Sequence, residues 1–150
     1  QRIYGNNVWI SFRRNLSLNI IEKNFIFLRF KMNAYFNKYT LNQILKMRED
    51  YQGTEKHGAW FFHVFSKIIL EIPKSEDNSK KTFLYIKLCE LCSKDIHIMN
   101  RDLIVTFYNS LSQFYSDVKL NYEEFQNNEE NMKIIQNYIK YFNDLIQQMV

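Results

Sequence analysis

The stretch IIQNYIKYFNDLIQQM, residues 134–149, decides the fold class. Ile135, Tyr138, Ile139, Phe142, Leu145, Ile146 and Met149 recur at intervals of three and four. An α-helix, at about 3.6 residues per turn, gathers such positions on one side, whereas a strand would scatter them over both faces. The spacing therefore predicts an amphipathic helix with one wall of a core along it. Upstream, Asn121 followed by Glu124 has the offset of a capping box and marks a helix start.

Working back from that helix, the same periodicity returns. Asn100 can cap a helix carrying Leu103, Ile104, Phe107, Tyr108, Leu111, Phe114, Tyr115 and Val118. Phe83 to Cys92 is apolar except for Lys87 and Glu90, and its length and flanks suit a buried helix. Trp60, Phe61, Val64, Phe65, Ile68, Ile69 and Ile72 form a broad stripe that ends at Pro73. Thr40 can cap a short helix running to about Tyr51, with Gly53 as its stop. Ser17 can cap another that reaches about Asn37, with Leu18, Ile21, Phe25, Leu28, Met32 and Tyr35 on its main face.

Two segments break the pattern. In NNVWISFRR, residues 6–14, Val8, Ile10 and Phe12 alternate with Trp9, Ser11 and Arg13, and no second strand exists to pair with them. Residues 1–16 are therefore expected to form an extended arm. The polar run KSEDNSKK, residues 74–81, reads as a linker between helices. Together these readings predict an all-α fold, an irregular bundle of five to six helices in a single domain spanning 1–150.

Composition agrees with this. Hydrophobic residues make up 46% of the chain and aromatic residues 17%, enough to close a core at this length. Three Gly and one Pro supply too few turns for a many-stranded sandwich. Apolar runs are broken well before the roughly 18 residues a membrane span needs, so none is expected. The chain opens on Gln1 without the order of a signal peptide and reads as a processed form or fragment. Its cysteine usage favours an intracellular location.

No phosphate-binding loop, dinucleotide fingerprint, calcium loop or zinc-hydrolase motif is present. Cys89 and Cys92 have the C-x-x-C spacing of a redox pair or half a zinc site, with His97 beyond. They stand in an apolar segment without a second cysteine pair, which favours structural thiols. His57 and His63 lack a nucleophile or a carboxylate in register with both, Glu55 being the nearest acid in sequence. The acidic pairs Glu123–Glu124 and Glu129–Glu130 fall where a first helical turn would favour them. The expectation is a non-enzymatic chain with no cofactor and no metal site.

Binding is the remaining class. The formal net charge of +4 is uneven: residues 1–56 hold ten Lys or Arg against four acids, and residues 119–150 hold three against five. Arg13, Arg14, Lys23, Arg29, Lys31 and Lys38, with Trp9 or Tyr35 for stacking, are the candidate residues for an RNA or DNA interface. The leading expectation is instead a protein partner or a homo-oligomer, with the chain as a structural or assembly subunit. Aromatics off the main stripes, Phe27, Phe30, Phe62 and Tyr141, are natural anchors because they bury large area at low entropic cost. Trp9 in the arm is a fifth aromatic of the same class of anchors.

One short segment carries a resemblance. YTLNQIL, residues 39–45, has Tyr39, four intervening residues, then Ile44 and Leu45, followed by Lys46, Arg48 and Glu49. It resembles the docking motif by which translation regulators bind the mRNA cap-binding initiation factor, with Ile44 where Leu is usual. That resemblance implies a short helix docking through Tyr39, Ile44 and Leu45. The bottom-up reading of the same residues is a capped helix whose apolar side (Leu41, Ile44, Leu45 and Arg48) faces its own core.

Overall fold

Thr40 starts the first described helix with a reciprocal cap. Its hydroxyl accepts from the Gln43 amide at 3.2 Å, and its own amide donates to Gln43 Oε1 at 2.8 Å, so two amides at the helix start are satisfied together. The computed structural model describes Phe36 and residues 38–149, and every structural statement below concerns these. The expected arm over 1–16 and the helix from Ser17 lie outside them.

Seven α-helices follow in order: α1 Leu41–Lys46, α2 Arg48–Tyr51, α3 His57–Glu71, α4 Asn78–Lys94, α5 Arg101–Lys119, α6 Tyr122–Asn127 and α7 Glu129–Gln148. Short 3₁₀ turns at Ile72–Lys74 and Ile96–Ile98 lead into the connections after α3 and α4. The fold is an all-α irregular bundle, as the periodicity predicts. It has more helices than expected because two expected helices are each broken once. Met47 interrupts the first, with ψ near 0°. Asn128 interrupts the second: its amide side chain donates to the Glu124 carbonyl at 2.9 Å and its carbonyl accepts from Ser79 Oγ at 3.0 Å. A side chain that bonds backbone in this way competes with helix continuation.

The remaining boundaries follow local chemistry. Asn100 and Asn121 accept from the amides of Leu103 and Glu124 and cap α5 and α6. Gly53 takes φ +81° after α2, a left-handed turn that a residue with a Cβ adopts only at a cost. The polar run 74–81 is only partly a connection: Asp77 accepts from the Ser79 amide at 2.9 Å, and residues 78–81 form the first turn of α4.

The long helices alternate in direction. His57 at the start of α3 meets Asp95 at the end of α4, so these two run antiparallel. Ser79 meets Asn128 at the starts of α4 and α7, and Ser93 lies beside Tyr138 further along both, so that pair runs parallel. Aromatic contacts lock α5 against its neighbours. Tyr85 of α4 stacks on Phe114 at 4.6 Å between centroids, and Phe107 meets Phe142 of α7 edge-on at 5.5 Å and Phe65 of α3 at 6.1 Å.

Candidate interaction surface

α3 is interior on nearly all sides. Ala59, Trp60, Phe61, Phe62, Val64, Phe65, Ile68 and Ile69 are all buried, and so are His57, His63 and Ser66. Phe62, off the main stripe in sequence, is therefore core and not an anchor. α7 behaves differently. Met132, Ile135 and Phe142 are buried, while Tyr138, Ile139 and Ile146 are half-buried and Ile134 and Tyr141 are exposed, by 40% and 38%.

Those exposed residues border a groove between α7 and the last turns of α4. Ser93, Ile134, Asn137, Tyr138 and Tyr141 line it, and it encloses about 380 Å³. Its surface is mostly apolar, with hydroxyls set in the floor. Burial, with Cys89 and Glu90 next, pushes the Tyr138 phenol above the ordinary tyrosine range. Tyr138 is thus a neutral polar tip on an apolar wall at physiological pH. Such a wall suits an apolar side chain or a helix laid along it. The helical repeat also explains its position: Ile134, Tyr138 and Tyr141 sit at four- and three-residue intervals, a second stripe beside the one that faces the core.

A second recess, of about 210 Å³, lies at the other end of the bundle. Ile69, Ile72, Tyr85 and Phe114 form its floor, and Lys81 and Asp117 are among its rim residues. It is smaller than most small-molecule sites. Leu120, 87% exposed, and Tyr122, 74% exposed, project at the corner between α5 and α6, away from either recess lining.

The sequence-predicted partner residues separate. Trp9, Phe27 and Phe30 lie outside the described residues, as do Arg13, Arg14, Lys23, Arg29 and Lys31. Lys38 is exposed, with its ammonium 5.4 Å from the centroid of the Tyr39 ring. Ile44 is fully buried, and its carbonyl accepts from the Trp60 indole N–H at 3.0 Å. Tyr39 and Leu45 are half-buried and packed against the same core. In this conformation the 39–45 segment turns its central apolar residue inward.

Sequence reading missed an ionic cluster that joins three elements. Asp95, at the end of α4, is fully buried. Arg48 of α2 reaches it with Nε, 3.2 and 3.1 Å from the two carboxylate oxygens, and with Nη2 on Oδ1. His57 Nε2 lies 3.1 Å from Oδ1, off the line of a hydrogen bond. The hydrogen bonds that Arg48 donates to Asp95 outweigh burial and hold Arg48 above the usual arginine range, so the guanidinium stays charged. Arg48 sharing a side with Ile44 and Leu45 was the one available signal, since a charge on an apolar face needs a buried partner. Nothing local pointed to Asp95, which is 47 residues away in sequence.

Cys89 and Cys92 are free, fully buried thiols. Burial pushes both above the ordinary thiol range and so disfavours the thiolate form. Among the described residues no group of three or more His, Cys, Asp or Glu can hold a metal ion. Among them, too, no helix is long and apolar enough to cross a membrane. The chain matches no protein-family model, no curated protein and no solved structure.

Proposed function

We propose that this chain is a non-enzymatic helical module that binds a protein partner through the groove between α4 and α7. The observation that supports this is the second apolar stripe of α7, Ile134–Tyr138–Tyr141, which the bundle leaves partly open beside Ser93. A helix whose only task is to close a core needs one stripe. The buried thiols and the absence of a metal-holding group among the described residues support the non-enzymatic part. Trp9, Phe27, Phe30, Tyr39 and Leu45 are further anchors in this reading, and Ile44 joins them only when its segment is displaced from the core.

Differential capture from the native source tests the groove. The baits are wild type, the double variant Ile134→Asp/Tyr141→Arg, and Leu120→Glu as a control at a distant exposed site. The reading predicts a protein retained at near-stoichiometric amount by wild type and by Leu120→Glu but lost by the double variant. A mass that rises with concentration for wild type and not for the double variant identifies the partner as a second copy. Identical retention on all three baits, with no self-association, contradicts the reading.

A further inference from the structure

Residues 38–51 are fastened to the bundle in an unusual way for an apolar protein. Of α1 and α2 together only Ile44 is fully buried. Tyr39, Leu41, Leu45, Met47 and Tyr51 pack at the margin of the core. Besides the edge-on contact of Tyr51 with the buried Phe36 ring, two attachments are polar and directional. One is the buried indole N–H of Trp60 on the Ile44 carbonyl. The other is the forked contact of Arg48 with Asp95, whose side chain has no exposed surface. The helices themselves are six and four residues long. Helices that short are not stable alone in water.

These features have a joint consequence. An element with little apolar burial opens at lower free energy than the core it lies on. Here the barrier to opening rests on a charge pair that has to be replaced by water on both sides. We propose that residues 38–51 are a latch, an independently opening segment whose closed state is held by Arg48 on Asp95. The bundle from α3 to α7 stays folded when the latch opens, and Ile44 and the edge of Trp60 become uncovered. The charge pair suits this role because it acts by position. Removing Arg48 leaves the buried Asp95 carboxylate, in the closed state only, without its forked hydrogen bonds and with His57 alone beside it, since the open state returns Asp95 to water. Arg is required and not merely a cation, because the fork engages both carboxylate oxygens through three bonds.

Native-state hydrogen exchange on the full chain tests the latch. The reporter amides are Ile44, Met47, Asp50 and Gln52, each bonded to a carbonyl within the segment. In wild type they are expected to exchange together through an opening with weak dependence on denaturant. Leu111 and Phe142, in α5 and α7, exchange at least about tenfold more slowly through an opening that exposes the whole bundle. In Arg48→Met the protection of the segment falls by on the order of a hundredfold or more. The bundle amides remain protected and the far-ultraviolet circular dichroism of α3–α7 remains helical. Arg48→Lys, which keeps the charge and loses the fork, falls by roughly tenfold. The proposal is overturned if the two sets of wild-type amides share one opening free energy and one denaturant dependence. It is equally overturned if Arg48→Lys leaves the segment's protection at the wild-type value.

Discussion

α3 and α7 place similar apolar loads in opposite settings. α3 has no clean polar face in sequence, and the structure buries it almost all round, with Trp60, Phe61, Val64 and Ile68 fully inside. α7 has the cleanest amphipathic stripe in the chain, yet much of that stripe is half-buried, and Ile134 and Tyr141 face water. Between these two helices, the sharp hydrophobic pattern belongs to the one with a solvent-facing side and the blurred pattern to the one enclosed on nearly all sides.

The comparison is broken most severely by truncation within α3. Phe61→Ala should cost about 3–5 kcal/mol, the usual price of emptying an aromatic site in a closed core, measured as a lower urea midpoint at unchanged slope. Arg48→Met should cost a similar amount, up to about 3–5 kcal/mol, limited by how far the latch opens to hydrate Asp95. At Gly53, an added Cβ meets no atom within 4 Å, so Gly53→Ala should cost only the backbone term, roughly 1–2 kcal/mol. Thr40→Ala removes one half of the α1 cap and should cost about 1 kcal/mol, read from exchange at Gln43 and Ile44. Tyr141→Ser on α7 should stay within about 0.5 kcal/mol of wild type while abolishing capture of the partner.

The thiols sharpen the same contrast through pH. Cys89 and Cys92 keep their protons in the folded chain to well above the pH at which unfolded thiols ionise. For a group whose folded pKa is raised, the unfolded state binds fewer protons once the pH passes the unfolded value. Stability is therefore complete below about pH 8.5 and falls as the pH rises beyond it. Urea midpoints at pH 7 and pH 10 should differ in that direction, and the difference should shrink in Cys89→Ala/Cys92→Ala. A thiol reagent at pH 7.5 should modify neither residue until the chain unfolds.

How much of this was legible depended on how local the cause was. Caps at Thr40, Asn100 and Asn121, the stop at Gly53 and the stripes of α3, α5 and α7 all depend on neighbours within four residues, and the sequence displays them. The break at Asn128 was not legible, because it depends on Ser79 from another helix as well as on Glu124. The Asp95 cluster was hidden for the same reason. The position of Tyr141 relative to the core was undecidable from spacing, since two stripes on one helix look alike until a neighbour covers one of them. The helix–strand distinction at Phe83–Cys92 rested on length, and α4 now extends it to Asn78–Lys94. For the basic N-terminal third, the salt dependence of binding to a generic RNA or DNA remains the direct test. A slope near zero with negligible affinity contradicts that reading.

Hydroxyl-radical footprinting of the native chain tests the contrast between α3 and α7 most directly. The account predicts rapid oxidation at Tyr141 and at Phe83, which is 50% exposed, with Phe61, Phe65 and Phe107 protected until the chain unfolds. Oxidation of Phe61 and Phe65 at the rate of Tyr141 in the folded chain would contradict it.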